Sequence, residues 1–173
     1  MNVRPLAPGD APALQAFFAA VPAGDRTFFK EDIDDPDLAA RWVRDDRCAR
    51  MLGVHEDGTI IGFAALVPGV QRTGHVADLR LVIAAQARGR GLGTALAQRM
   101  LLEAFRHGFR KVTVEVAAER RGPIEMFLAL GFQAEALLRD QLRDPDGALH
   151  DLMILAHSVE ENWSAMLTAG MDA

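Results

Sequence analysis

The spacing of apolar residues along the chain predicts short helices and strands that follow one another from end to end. Helices are predicted where apolar residues recur every three or four positions, and strands where they alternate or form short runs. The predicted helices are Ala11–Val21, Asp37–Asp45, Gly91–His107, Pro123–Leu130 and about residues 158–169. The predicted strands are Val3–Leu6, Ala49–His55, Thr59–Val67, His75–Ile83, Lys111–Val116, Phe132–Arg139 and His150–Ala156. Helices interleaved with strand pairs are typical of a layered α/β domain.

Length, charge and cysteine content narrow the class of protein. The chain has 173 residues, half of them hydrophobic, which is enough for one core and predicts a single domain over residues 1–173. A net charge of −5 argues against a general nucleic-acid binder. Ile60–Val67 is too short to span a bilayer, and Met1–Asp10 lacks the apolar segment of a secretory signal. With one cysteine, Cys48, the chain is expected to be cytoplasmic and not bound to a membrane.

Candidate chemistry is concentrated in the segment Arg88–Thr94, which we call the glycine turn. It follows a predicted strand and opens a long predicted helix, so unpaired amides and the helix dipole favour an anion there. A P-loop requires a lysine that is absent after Gly93, and Thr94 replaces the third glycine of a Rossmann fingerprint. The turn therefore predicts a phosphate site of another kind, with a purely structural strand-to-helix turn as the alternative.

The glycine turn resembles the central motif of the GCN5-related N-acetyltransferase (GNAT) superfamily, Arg/Gln-x-x-Gly-x-Gly/Ala. Arg88, Gly91 and Gly93 match its defined positions. Downstream, the segment Ile124–Phe132 resembles the family's fourth helix and ends in the same Leu-Gly-Phe. The resemblance extends from Val3 to about Ala156, and the two motifs together at this spacing are specific.

This resemblance implies a central mixed, mostly antiparallel sheet of about seven strands, flanked by helices and splayed where the fourth and fifth strands part. It implies acetyl-CoA as cosubstrate, no metal, and direct attack by a primary amine of a small molecule or protein in a ternary complex. His150 and His157 show no metal-ligand spacing either. The candidate cofactor-binding residues are Leu81, Val82, Ile83, Arg88, Gly89, Arg90, Gly91, Leu92, Gly93, Thr94 and Phe127.

Acetyl transfer to an amine requires a group that accepts the amine's proton and a donor for the developing oxyanion. The family-like oxyanion donor is a backbone N–H near Val82. Some relatives carry a glutamate base at the position of Ala77, and strand alternation places His75 on the same face and Asp78 on the other, unless a bulge changes the count. His75, Asp78 and Glu119 are therefore the candidate catalytic residues, alongside a structural role for each.

The chain departs from the family at the usual acid. Many relatives use a tyrosine on the fourth helix to protonate the leaving thiolate, whereas Phe127 occupies that position and the chain contains no tyrosine. A thiol with a pKa near 8.5 is a tolerable leaving group, so an acid is optional. The alternatives are a non-catalytic acyl-CoA-binding or sensing domain, and a nucleotide-binding enzyme of another class.

Two further segments bear on partners. The acidic segment Asp25–Asp37 includes Phe28 and Phe29, and its charge favours a cationic amine, unless it is a solvated loop whose phenylalanines pack into the core. Near the C-terminus, an apolar group is a candidate homodimer surface or part of the domain's own packing. It consists of Trp163, Met166 and Leu167.

Overall fold

The computed structural model describes residues 1–22, 25, 31–45, 48–144 and 146–159. The helices are α1 (Ala11–Ala19), α2 (Leu38–Trp42), α3 (Leu92–Arg106) and α4 (Arg121–Ala129). The strands are β1 (Asn2–Pro5), β2 (Arg50–Val54), β3 (Ile60–Pro68), β4 (Val76–Ile83), β5 (Lys111–Ala117), β6 (Gln133–Arg143) and β7 (Leu149–Ser158). None of the helices within these described ranges is both long and apolar enough to cross a membrane.

The strands form a seven-stranded sheet in the order β1-β2-β3-β4-β5-β7-β6. The pairs β1–β2, β2–β3, β5–β7 and β6–β7 are antiparallel, whereas β4 and β5 run parallel. The register of this parallel pair joins only Val76–Asp78 to Lys111–Thr113. The predicted mixed, mostly antiparallel sheet is confirmed, and the short parallel register agrees with strands that part.

Several predicted boundaries were wrong. Helix α2 is shorter than Asp37–Asp45, and β6 continues four residues beyond Arg139, to Arg143. Nearly all of β6 is exposed, so it has little apolar alternation to detect, and a register shift between Leu138 and Leu142 interrupts it. At that shift Asp140 has a positive φ of 53° and its N–H donates to Asp151 Oδ1.

The predicted C-terminal helix at about 158–169 begins at the last residue of β7, Ser158. Its remainder from residue 160, including Trp163, Met166 and Leu167, lies outside the described residues. The same holds for Phe28 and Phe29 of the acidic segment.

The chain forms two compact units. The first unit comprises Met1–Val67 and Arg80–Met100, and the second comprises Pro68–Leu79 and Leu101–Ala173. One domain over residues 1–173 stays a prediction.

Aromatic side chains form the centre of the first unit's core. The ring of Trp42 stacks on Phe63 with centroids 5.2 Å apart and planes 8° apart. Phe18 meets both rings edge-on. Arg50 lies over the Trp42 ring and donates to the Asp45 carbonyl at 2.8 Å. This packing joins α1 and α2 to β2 and β3.

A pair of glycines brings α3 close to the first unit's strands. Gly53 of β2 and Gly62 of β3 are register partners. A Cβ on Gly53 would lie 2.8 Å from Leu92 Cδ1, and one on Gly62 would lie 3.0 Å from Leu96 Cδ1. A side chain at either position would displace these leucines, so the Gly53–Gly62 pair allows the start of α3 to approach the strands closely.

In the core of the second unit, helix α4 packs on aromatic rings. Phe127 of α4 meets Phe132 edge-on with centroids 5.0 Å apart, and Phe132 packs against His157 of β7 at 5.2 Å. His157 is 1% exposed. Its two ring nitrogens have no hydrogen-bond partner within the described structure.

Candidate cofactor-binding site

The glycine turn adopts a conformation that requires glycine at two positions. Strand β4 ends at Ile83, a short 3-10 turn covers Ala85–Ala87, and α3 begins at Leu92. Gly89 has φ +70° and Gly91 has φ +80°. Other residues rarely adopt this left-handed region, so the two glycines allow the chain to reverse into the helix within a few residues.

The backbone amides of the turn are unused. The first helical bond runs from the Ala95 N–H to the Gly91 carbonyl at 3.0 Å. Within the described part of the chain, no hydrogen bond is made by the six amides from Gly89 to Thr94. These donors lie at the N-terminus of a fifteen-residue helix, where the helix dipole favours an anion.

Open space lies beside the turn. A Cβ on Gly89 or Gly91 would meet no atom within 4 Å. Both glycines and Arg90 are exposed, whereas Leu92 is buried against the Gly53–Gly62 pair. The turn is thus anchored on one side and open on the other, which leaves its amides accessible to an anion.

The side chain of Arg88 ties the turn to two other segments. Its Nε donates to the Ile83 carbonyl at 3.0 Å, and its Nη2 donates to the carboxylate of Asp25. Asp25 is 9% exposed at its side chain and Arg88 is 43% exposed. The guanidinium of Arg88 therefore already has an intramolecular anion, and Arg90 is the turn's other exposed cation.

The strand residues before the turn divide between core and surface. Val82 packs in the first unit's core, and Ile83 lies beside Gly62. Leu81 is only half-buried. The Ala84 N–H bonds to the Ile61 carbonyl at 2.9 Å, so β3 supports the end of β4 at the point where the chain leaves for the turn.

An arginine of β4 binds another carboxylate of the acidic segment. Arg80 is 8% exposed at its side chain and donates to Glu31 Oε2. Asp35 is paired in turn with Arg41 at 2.7 Å, and this pairing lowers the pKa of Asp35. Within the described structure, Asp25, Glu31 and Asp35 are thus each paired with an arginine, which weakens the predicted pull on a cationic acceptor.

The candidate bases His75 and Asp78 lie at the start of β4 in the second unit. His75 precedes the strand and is exposed, whereas Ala77 is fully buried. The His75 carbonyl accepts the N–H of Arg110 at 2.9 Å. Asp78 is half-buried and lies in register with Thr113. Their catalytic roles stay predictions.

The third candidate base, Glu119, lies beside a histidine that the sequence analysis considered only as a metal ligand. Glu119 Oε1 is 3.4 Å from His150 Nδ1. His150 Nε2 is 3.0 Å from Asp144 Oδ2. The imidazole thus bridges two partly exposed carboxylates in the second unit. Among the described residues, no group of three or more His, Cys, Asp or Glu side chains is placed to hold a metal ion.

Phe127, at the position of the family's tyrosine, is 3% exposed and packs on Phe132. Sequence reasoning found this position and the glycine turn, but it missed Arg80 and the pairing of Asp25. The signal for Arg80 was a charged residue flanked by the apolar residues Leu79 and Leu81 in a predicted strand. Such a residue is rarely buried without a partner.

Comparison with known proteins places these features in a family. A model of the acetyltransferase (GNAT) family matches residues 17–132. An uncharacterized N-acetyltransferase of Methanocaldococcus jannaschii is 28% identical over 141 residues, which cover 75% of this chain and 59% of the relative. The chain thus spans about three fifths of that curated relative's length.

Solved structures share the fold. An acetyltransferase of the GNAT family from Streptococcus pneumoniae superposes with a TM-score of 0.80 at 21% identity, over 91% of this chain and 98% of that chain. A GNAT-superfamily phosphinothricin acetyltransferase from Sinorhizobium meliloti, solved in complex with acetyl-CoA, gives a TM-score of 0.78 at 18% identity. That match covers 91% of this chain and 87% of the other. Together with the family model, which covers more than half of the chain, these findings show that the chain belongs to the acetyltransferase (GNAT) family.

Proposed function

We propose that the protein is an acyl-CoA-dependent N-acetyltransferase that transfers the acetyl group of acetyl-CoA to a primary amine. The acceptor is a small molecule or a protein, and the amine attacks directly in a ternary complex. The observation that carries the proposal is the row of unused amides from Gly89 to Thr94, opened by two left-handed glycines at the start of α3. Family membership supplies the acyl donor.

In this proposal the diphosphate of acetyl-CoA accepts hydrogen bonds from the glycine-turn amides, as anions do at helix N-termini. Arg90 adds a positive charge beside them. The pantetheine arm lies along the end of β4, at Leu81–Ile83. Acetyl-CoA supplies a thioester carbonyl that a neutral amine can attack.

The chain's own groups then serve the transfer. A backbone N–H near Val82 donates to the carbonyl oxygen as negative charge develops on it. The new C–N bond forms as the C–S bond breaks, and a base removes a proton from the amine nitrogen. His75, Asp78 and Glu119 are the candidate bases. The thiolate leaves as an anion and takes its proton from solvent, because a thiol pKa near 8.5 makes an enzyme-supplied acid optional.

Phe127 favours a second candidate function. Its ring is buried and has no ionisable group, so it cannot protonate the thiolate as the family's tyrosine does. A domain that binds acyl-CoA without turning it over would have no need of that acid. This alternative shares the cofactor site and differs only in the absence of acetyl transfer.

Two measurements test the proposal. Calorimetry with acetyl-CoA is expected to show binding, and thermal shift with acetyl-CoA, NAD and ATP should show stabilisation by acetyl-CoA. Release of the CoA thiol is then followed with a panel of polyamines, aminoglycosides, amino acids and lysine peptides. Amine-dependent thiol release supports the transferase.

The contrary outcomes are distinct. Binding without release on any amine favours the sensing domain. Stabilisation by NAD or ATP alone, with no heat from millimolar acetyl-CoA, contradicts both functions and favours a nucleotide-binding enzyme of another class.

A further inference from the structure

Asp25 is a buried carboxylate that the proposed chemistry does not use. Its side chain is 9% exposed, and its N–H donates to the Pro22 carbonyl at 2.9 Å. A buried carboxylate requires a cationic or hydrogen-bonding partner. Here one such partner is Arg88, the first residue of the glycine turn, which lies 63 positions further along the chain.

Arg88 bonds two segments at once. The Nε–H points to the Ile83 carbonyl at the end of β4, and Nη2 bonds to Asp25. A guanidinium is planar, so two bonds from different nitrogens fix both its position and its orientation. The backbone of Arg88, at φ −69° and ψ 159°, leads directly into the left-handed Gly89. Holding this side chain therefore restrains the first peptide of the turn.

We infer that Asp25 is a positioning residue for the acyl donor: by holding Arg88 against the end of β4, it sets the direction of the glycine-turn amides that bind the diphosphate. The inference rests on the proposed function, because it assumes that the turn binds acetyl-CoA. Asp25 itself carries negative charge and does not touch the diphosphate. Its effect passes through Arg88.

Charge and geometry predict opposite consequences for the loss of this carboxylate. If Asp25 served only as a counter-charge, its neutralisation would leave Arg88 more positive and strengthen the binding of an anion. If it positions the turn, neutralisation releases the guanidinium and weakens binding, because misplaced donors bind poorly. The sign of the change in affinity thus separates the two roles.

Glu31 provides a matched control. It lies in the same acidic segment and pairs with an arginine of β4, Arg80. Arg80 lies in β4, eight positions before the glycine turn and outside it. A general loosening of the acidic segment would follow from Glu31→Gln as well as from Asp25→Asn. A loss of acetyl-CoA affinity that is seen only in Asp25→Asn would therefore come from the glycine turn.

The test compares two acyl donors in wild type, Asp25→Asn and Glu31→Gln. S-acetylpantetheine has the thioester of acetyl-CoA but no diphosphate, so it does not depend on the turn amides. With acetyl-CoA, Asp25→Asn is expected to raise KM on the order of 10-fold with little change in kcat. With S-acetylpantetheine, kcat/KM should stay within about 2-fold of wild type. Glu31→Gln should alter neither donor selectively.

A double variant checks the route through Arg88. In an Arg88→Gln background, Asp25→Asn should add no further loss of acetyl-CoA affinity, because the residue through which it acts is already gone. Calorimetry of acetyl-CoA binding gives the same comparison if the protein binds without turnover.

Three outcomes would overturn the inference. Equal losses with both donors would make Asp25 a structural residue. Tighter acetyl-CoA binding in Asp25→Asn would make it a counter-charge, and full additivity with Arg88→Gln would show that it acts by another route. A wild-type protein that fails to bind acetyl-CoA is a separate result, because it removes the proposed function itself.

Discussion

The chain passes from a strand into a helix at two comparable turns, one before α3 and one before α4. In the glycine turn, Gly89 and Gly91 are left-handed and six consecutive amides are unused within the described structure. In the turn before α4, residues 118–120, none of the described residues is left-handed. There the N–H groups of Arg120 and Arg121 bond to the carbonyls of Ala117 and Glu119 at 2.9 and 3.1 Å.

The difference shows that a helix N-terminus is not enough to make an anion site. Every helix begins with unpaired amides, but a tight turn can satisfy them with its own carbonyls, as happens before α4. Before α3, where Gly89 and Gly91 are left-handed, the described structure shows no such bonds, and the amide donors stay available to a ligand. Backbone conformation, more than the helix dipole, separates the two turns.

The two helices also rest on different surfaces. The start of α3 packs through Leu92 and Leu96 on the Gly53–Gly62 pair, so its approach is set by the absence of side chains. Helix α4 packs through the ring of Phe127 on Phe132, which in turn contacts His157. The packing of α3 on the Gly53–Gly62 pair is sensitive to added side-chain volume, whereas the packing of α4 on Phe132 is sensitive to an added polar group.

The largest expected effect comes from Gly91→Glu, which places a carboxylate where the diphosphate would bind. We expect acetyl-CoA affinity to fall at least about 100-fold in calorimetry, because like charges at a binding site cost several kcal/mol. Gly91→Ala carries the same strain at positive φ without the charge and should lose less. Gly122→Glu, in the first turn of α4, should leave the affinity near wild type. Equal losses at both turns would show that the glycine turn has no special role.

A smaller effect is expected from adding a side chain at the Gly53–Gly62 pair, on which α3 packs. Gly62→Val forces side-chain carbons against Ile83 and Leu96, and such overpacking costs about 1–3 kcal/mol of the free energy of unfolding. Urea unfolding measures this loss. Because Leu92, at the start of α3, also packs on this glycine pair, the affinity for acetyl-CoA should fall as well. Gly9→Ala is the control, since a Cβ there meets nothing within 4 Å. Unchanged stability in Gly62→Val would mean that the packing around Gly62 accommodates the added carbons without loss.

For the packing of α4, the informative substitution is Phe127→Tyr, which restores the tyrosine that many family members carry. The new hydroxyl enters a site that is 3% exposed, so without a partner it costs about 1–3 kcal/mol. Thermal unfolding should show the loss, and thiol release should not rise. Phe127→Leu keeps the site apolar and separates ring loss from polarity. Faster release at unchanged stability would instead indicate that the hydroxyl reaches the thiolate.

The smallest effect is a dependence of stability on pH. Burial lowers the pKa of His157 below its ordinary value of 6.5, so the unfolded chain binds this proton more readily than the folded chain. The free energy of unfolding should therefore fall as the pH drops below about 6.5 and stay level above it. Urea titrations between pH 8 and about pH 5 avoid most carboxylate titration.

His157→Leu should flatten this dependence, whereas His55→Gln, at an exposed histidine, should leave it in place. The same slope in wild type and His157→Leu would assign the effect to other groups.

Much of the fold could be predicted because its signals are local. Asp57-Gly58 predicts a hairpin, and the His55 N–H indeed meets the Thr59 carbonyl at 2.9 Å with Gly58 at φ +88°. Strand β5 follows from its valines to within one residue. Strand β6 was predicted too short because an exposed edge strand needs no apolar face. The single domain and the cytoplasmic location stay predictions.

The site was predictable only where backbone chemistry defines it. Glycines at the start of a helix indicate an anion site because few other residues adopt their conformation. The partners of Arg88 and Arg80 lie 63 and 49 positions away in sequence, so no spacing rule joins them. In the sequence, nothing distinguishes Asp25 from Glu31 or from the other acidic residues of their segment. Only the folded chain distinguishes the one that contacts the glycine turn.

The stacking of Trp42 on Phe63 has a practical consequence for spectroscopy. The chain has two tryptophans and no tyrosine, so Trp163→Phe would leave Trp42 as its one strong emitter. With its ring held 8° from that of Phe63, Trp42 reports on the core of the first unit, which also contains Val82 near the end of β4. Its emission would then report the unfolding of this aromatic core without an added label.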